Sequence, residues 1–267
     1  MDITLSATPP LQSTLDVLAV VCHEDTLPED PTITAADTAL GGHLRRAMAD
    51  ERFRAKAGQS LSLHTQGRLG PGRLLLVGCG PRANFRLSDL RPAAGRVARF
   101  ANSVGAGTAG IALGDAGKTA AAASTTVQTL AEGLRLGGYR FQKYLTGDKR
   151  TPVTLTSATL FVATADESAA RQALDRAQQT ARAVADARDL VNEPAGVLTP
   201  TRLAEAATTL ARDSGLGITV FGPDECRQRG MGLYLAVAQG SDEEPRFIHL
   251  TWKPAQSKKR IVLVGKG

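Results

Sequence analysis

The sequence predicts an α/β fold: an N-terminal α/β domain with a mostly parallel or mixed sheet, a long linking helix, and the start of a second α/β domain. Three observations predict it. Short runs of Val, Ile and Leu alternate with segments of helical periodicity, as they do in layered α/β proteins. The stretch 166–192 then runs without Gly or Pro, and a fresh strand–helix alternation begins near 193. Finally, Arg260-Ile261-Val262-Leu263-Val264-Gly265-Lys266-Gly267 joins four consecutive aliphatic residues to a glycine-flanked lysine. That pattern predicts a strand buried on both faces, turning at its carboxyl end, where open α/β sheets place their chemistry.

Taken in order, 2–6 and 15–22 read as strands, the second with a nearly continuous apolar run. Ala35 to Asp50 reads as a helix, with Leu40, Leu44 and Met48 on one face, although Gly41-Gly42 weakens it. Gln59–Thr65 alternates Leu with polar residues as a half-buried strand does, and Arg73–Gly80 is a buried strand ending in glycines. Ser88 is the expected cap of a helix through Asn102, with Leu90, Val97 and Phe100 inward. Thr108–Leu113 is a short strand, Thr125–Leu136 a helix, and Val153–Ala163 a strand of high β-propensity. Asp166 can cap the helix that follows, in which Ala173, Ala177, Val184 and Leu190 share a face. A helix of roughly 40 Å usually links domains, so the expected domains are 1–165, the linking helix 166–192, and 193–267. Thr199-Pro200 supplies a cap and first-turn proline for a helix over 200–214. Gly217–Phe221 is a strand, Pro223–Arg229 a short helix, and Leu233–Ala238, Arg246–Trp252 and Arg260–Val264 further strands.

Composition narrows the class. At 267 residues, 42% hydrophobic and 22% charged, the chain has the make-up of a globular protein. Aromatics are only 4%, so Ala, Val and Leu must build the core. No apolar run approaches the ~20 residues of a membrane span, and Met1-Asp2-Ile3-Thr4-Leu5 lacks the positive charge of a secretory leader. Cys22, Cys79 and Cys226 form no CxxC pair and are expected to be free thiols in a reducing cytoplasm. A net charge of +6 permits nucleic-acid contact, but solvated arginines on helix faces account for it.

Few motifs suggest chemistry. Val77-Gly78-Cys79-Gly80-Pro81-Arg82-Ala83 fits GxGxxA after a strand, but Pro81 removes an N–H from the loop that would cradle a pyrophosphate. A tight strand-to-loop turn is the better reading. Gly265-Lys266 lacks the P-loop's earlier glycine, Arg260 standing there, and its Ser or Thr, replaced by Gly267. His23, His43, His64 and His249 show no close ligand spacing. Asp242-Glu243-Glu244 before Pro245 reads as a solvated hairpin tip.

The second domain carries a resemblance. Arg188-Asp189-Leu190-Val191-Asn192-Glu193-Pro194 with Leu198-Thr199-Pro200 is similar to the entry into the catalytic domain of the cytosol (leucyl) aminopeptidases. Gly230-Met231-Gly232-Leu233-Tyr234-Leu235-Ala236-Val237-Ala238-Gln239-Gly240-Ser241, Pro245-Arg246-Phe247-Ile248 and the final Ile261–Gly267 continue that pattern in order. Upstream, Glu132-Gly133-Leu134, Tyr139-Arg140-Phe141 and Tyr144 resemble the end of the family's N-terminal domain.

The resemblance implies a two-metal aminopeptidase, using Mn or Zn, that releases N-terminal residues, leucine among those favoured, from peptides with a free N-terminus. It implies a cytoplasmic homohexamer with no membrane partner. Its metal-ligand lysine aligns with Lys266. The family's other metal carboxylates, second lysine and arginine sit in DSGG- and NTDAEGR-type segments that follow this point, so the chain resembles a first half. No catalytic residue is then expected within it, and no standalone activity. A lysine amine binds metal only when neutral, and neutralising an ordinary one at pH 7 costs about 4.6 kcal/mol; only a dication held by several other ligands offsets that. Without them 193–267 is expected to expose apolar surface and an unpaired strand edge, and to be poorly ordered or aggregation-prone, while 1–165 folds on its own. The second reading is a non-catalytic α/β module acting in oligomer assembly or basic-surface nucleic-acid binding.

Overall fold

The computed structural model describes residues 1–114, 122–162, 167–256 and 258–266. The chain divides into two compact units, Met1–Arg188 and Asp189–Gly267.

The first unit is built on six strands: β1 (Asp2–Ser6), β2 (Val17–Cys22), β3 (Ser60–His64), β4 (Arg73–Gly78), β5 (Thr108–Ala112) and β6 (Ser157–Phe161). Their order across the sheet is β1-β6-β5-β2-β4-β3, parallel throughout except that β3 runs antiparallel to β4. The sequence of β2 explains why it lies inside: Val-Leu-Ala-Val-Val-Cys has nothing polar to offer solvent, and all six residues are buried. Val17, Ala19 and Val21 point into one core, and Leu18, Val20 and Cys22 into the other.

The helices form layers on both faces. α1 (Pro31–Ala39) and α2 (His43–Asp50) cover one, contributing Ile33, Ala36, Leu44 and Met48. α3 (Leu90–Ser103), α4 (Ala123–Gly138) and α5 (Glu167–Asn192) cover the other; Val97, Leu130 and Ala173 are among their buried residues. The single helix expected over Ala35–Asp50 is two helices. Gly41 and Gly42 adopt φ of +64° and +78°, which breaks the helix, and Asp30 caps the first one through the N–H groups of Thr32 and Ile33. Ser88 is not the cap of α3: it lies in a 3-10 turn, and Asp89 accepts a hydrogen bond from Arg86 N at 2.8 Å. The strand expected over Val153–Ala163 is confined to β6. The backbone before it is held by buried Asn102, whose Oδ1 accepts from Thr154 N at 2.8 Å and Leu155 N at 3.0 Å. Asp166, the expected cap of α5, lies outside the described residues.

The α3–α4 crossing depends on glycine. A Cβ at Gly137 would stand 2.2 Å from the Cα of Gly95, and one at Gly133 would stand 2.4 Å from the carbonyl oxygen of Arg91. Beside this contact, Arg91 forks onto buried Glu132 at 3.0 and 2.6 Å, and Gln128 donates to its other oxygen at 2.9 Å.

The second unit contains α6 (Pro200–Ser214), β7 (Gly217–Phe221), α7 (Pro223–Gln228), α8 (Gly232–Ala238) and β8 (Phe247–Thr251). Thr199 Oγ1 accepts from Arg202 N, Pro200 occupies the first turn, and Gly215 ends α6 at φ +67°. β7 and β8 form an antiparallel pair. Here two expected strands fail. Leu233–Ala238 is helical: its backbone bonds are met internally, and Tyr234 stands edge-on to Phe247 of β8 at 5.7 Å. Arg260–Val264 lies in no strand, because no other segment of the chain pairs with it among the described residues.

Candidate functional site

The glycine motif at the end of β4 is a packing device. A Cβ on Gly78 would meet the Ala55 carbonyl at 2.4–2.5 Å, and Gly80 sits at φ +74°. His23, 1% exposed, holds this turn together: its Nδ1 lies 3.1 Å from Gly80 O and its ring meets Phe85 edge-on at 4.8 Å. Asp25 accepts from Arg82 N at 2.9 Å, and that bond holds its carboxyl below the ordinary carboxylate value. His23 and Asp25 are both engaged with the chain's own backbone, which is how a turn is braced.

The three cysteines are free thiols. Burial pushes the Cys22 thiol up, with a contribution from Asp30, and pushes that of Cys79 up to about 11. Neither has the depressed value of a nucleophile at neutral pH. Cys22 belongs to one core while Cys79 packs against the opposite one, so the sheet separates them. His64 closes β3 opposite Arg73, and His249 lies within β8. Glu244 pairs with Arg246 at 2.8 Å beside the expected hairpin tip.

An open cleft of about 270 Å³ lies at the amino ends of β2 and β4 and the end of β3, lined by Asp16, His64, Arg73 and Val104 among others. Asp16 was not singled out by its sequence position, yet it ties β2 to β5. Its Oδ2 accepts from Gly107 N at 2.8 Å, Thr108 N at 2.9 Å and Thr108 Oγ1 at 3.1 Å. The Thr108 N–H is the largest cause holding its carboxyl below the ordinary value. The cleft is at the end of the sheet opposite to that used by open α/β enzymes.

Lys266 is exposed and follows four exposed apolar residues, Ile261, Val262, Leu263 and Val264, at 83, 73, 92 and 93%. Gly267 lies outside the described residues. Among the described residues no group of three or more His, Cys, Asp or Glu could hold a metal ion. The donors present therefore do not fit a metal by themselves: one amine in solvent is not a coordination sphere.

Comparison with known proteins gives this segment its context. The model of the cytosol aminopeptidase family's N-terminal domain matches residues 17–148, and that of the same family's catalytic domain matches 185–267. The chain belongs to the cytosol aminopeptidase family. A Geobacter sp. protein named a probable cytosol aminopeptidase is 36% identical over all of this chain and 53% of its own length. One from Parasynechococcus marenigrum is 38% identical over 90% of this chain and 47% of its own length. A mutant of tomato leucine aminopeptidase superposes with a TM-score of 0.86 at 28% identity, covering 97% of this chain and 52% of that one. The bottromycin maturation enzyme BotP in complex with Mn gives 0.70 at 29% identity, over 90% and 46%.

The chain spans about half the length of the curated relatives it matches. Within the cytosol aminopeptidase pattern, Glu132 and Gly133 now have structural roles: they hold the α3–α4 crossing. Tyr139, just past α4, has the Arg188 guanidinium of α5 5.4 Å over its ring. No helix among the described residues is long and apolar enough to cross a membrane.

Proposed function

We propose that this chain supplies the N-terminal domain and the opening part of the catalytic domain of a cytoplasmic, metal-dependent aminopeptidase. The enzyme releases N-terminal residues, leucine among those favoured, from peptides with a free N-terminus. One observation carries this reading: two domain models of a single family match in order, over 17–148 and 185–267. On this reading the domains run 1–165 and 193–267 with 166–192 as the linking helix, and the complete enzyme is a homohexamer.

Lys266 is assigned as a metal ligand of the complete site, contributing its amine nitrogen to one of two divalent ions, Mn or Zn. The Mn-bound state of BotP supports manganese. Because the described residues of this chain do not form a coordination sphere, the carboxylates are assigned to polypeptide corresponding to the remaining length of the relatives.

The test is turnover of leucine p-nitroanilide. The purified chain with Mn²⁺ or Zn²⁺ is expected to show none. Fused at Gly267 to the remaining length of the Geobacter protein, it is expected to turn over substrate, and Lys266→Ala to lower that at least about a hundredfold. Turnover by the chain alone, or turnover by the fusion that persists after chelation of metal, overturns the reading.

A further inference from the structure

The open cleft of the first unit brings together charges of both signs that do not neutralise one another. His64 and Arg73 are partners across the antiparallel β3–β4 pair, so their side chains leave the same face of the sheet. Both line the cleft, and among the described residues neither side chain has a hydrogen bond or an ion pair. Asp16 lines it too, just before β2. The three donors that reach its carboxylate, Gly107 N, Thr108 N and Thr108 Oγ1, all fall on Oδ2, and Oδ1 keeps its lone pairs. Those bonds hold the carboxyl below its ordinary value, so it is ionised at neutral pH. They also anchor it on the side of β2 that faces β5, whereas Arg73 belongs to β4 on the other side. The carboxylate and the guanidinium therefore share one cleft without closing into an ion pair. Val17, Val104 and Ala106 give the cleft an apolar lining, and Gly72 and Gly105 add no side chain to fill it. Its volume of about 270 Å³ suits a molecule smaller than the drug-sized ligands of ~300–1,000 Å³ sites.

We propose that this cleft binds a free aliphatic α-amino acid as its zwitterion. Arg73 takes the carboxylate with its planar fork of donors, His64 adds a donor beside it, and Asp16 Oδ1 accepts from the ammonium. Each protein charge meets its opposite, and the aliphatic side chain of the ligand lies against the apolar lining. A simple anion would satisfy Arg73 but sit in the repulsive field of Asp16, and a simple amine would do the reverse. Only a small molecule with both charges serves both ends. Free amino acids are also what the proposed enzyme releases, so the ligand is of the product class. The cleft itself is built from residues 15–106 and does not depend on that activity.

The experiment is calorimetric titration of the full chain with L-leucine at pH 7. Saturable binding is expected with a dissociation constant on the order of 1 mM, as suits a small ligand in an open cleft. Leucinamide, which lacks the carboxylate, and 4-methylpentanoate, which lacks the ammonium, should each bind at least about tenfold more weakly. Arg73→Gln and Asp16→Asn should each weaken leucine binding at least about tenfold. Arg182→Gln, at an exposed arginine of α5, should leave it unchanged. Asp16 also ties β2 to β5, so circular dichroism accompanies that variant. The Arg73 side chain has no bond within the described residues to lose, and its variant decides the matter if Asp16→Asn unfolds. No saturable binding up to about 50 mM, equal binding of either analogue, or indifference to Arg73→Gln overturns the inference. Tighter binding of glycyl-leucine than of leucine also overturns it, since the occupant is then a peptide. Leucine binding by a chain whose fusion hydrolyses no leucine p-nitroanilide leaves the cleft assignment intact and counts against the proposed activity instead.

Discussion

Asp16 shows how a polar residue before a strand can govern how two strands meet. Its carboxylate collects two backbone N–H groups and a hydroxyl from the loop entering β5, while its own N–H donates to Thr108 Oγ1 at 2.9 Å. Hydrogen bonds to the charged form lower its pKa, and those to Thr108 N lead. The folded value lies below the unfolded one, so the stabilisation is fully present above the ordinary Asp value near ~3.9 and is lost as pH falls through the folded value. Urea unfolding across the acid range should show Asp16→Asn losing part of that pH dependence, with a cost at pH 7 of about 1 kcal/mol or less because the group is exposed. An acid limb identical in wild type and variant would contradict the role. The thiols show the opposite case. With Cys79 raised to about 11 and Cys22 buried, alkylation by iodoacetamide at pH 8 should be slow in the native chain and fast in urea.

At the scale of elements, the α3–α4 crossing makes the sharpest forecast, since neighbouring glycines in α4 face different surroundings. Alanine is the better helix former by about 1 kcal/mol, so a helical glycine without a packing role should tolerate replacement. Gly138 is such a residue, its Cβ meeting Ala98 and Asn102 only at 3.9 Å. Gly137 is not: the helix backbones are in contact there, and no rotamer change can open 2.2 Å. Gly137→Ala should therefore cost about 2 kcal/mol or more in urea unfolding, and Gly138→Ala should be neutral or slightly stabilising. Equal effects would mean that the crossing is looser than its geometry states. Glycines one residue apart look alike in the sequence. The same scale explains why α8 was expected as a strand. Leu-Tyr-Leu-Ala-Val-Ala suits either state, and the tertiary setting, with Phe247 of β8 placed to receive Tyr234, favours the helix.

For the whole molecule, the two units differ in what holds them. The first buries two large apolar clusters on either side of a six-stranded sheet. The second depends on a few small buried side chains and on Phe221 stacked with Phe247 at 5.8 Å, with the Arg229 guanidinium 4.2 Å over the Phe221 ring. Opening free energies should differ accordingly. Limited proteolysis is expected to cut first within 252–266 and then elsewhere in 193–267, leaving the sheet of the first unit intact. Early cleavage inside 10–150 that spares 193–267 would reverse this ranking. The comparisons, which span about half of each relative, place those weakly held residues in a catalytic domain of the cytosol aminopeptidase family.

The sequence by itself determined the alternation of strands and helices, the burial of Val17–Cys22, the cap and proline that start α6, and the family, because each is written in local residue order. Through the family resemblance it also suggested Lys266 as a ligand. Tertiary structure decided the rest. It broke 35–50 at two left-handed glycines, showed that Gly133 and Gly137 are contact surfaces, and gave Asp16 and Asn102 their distant backbone partners. It also left Ile261–Val264 without a strand partner among the described residues. The physical reason is common to all of these: propensity belongs to a segment, whereas a strand, a close helix crossing or a coordination sphere exists only when a second piece of chain arrives to complete it.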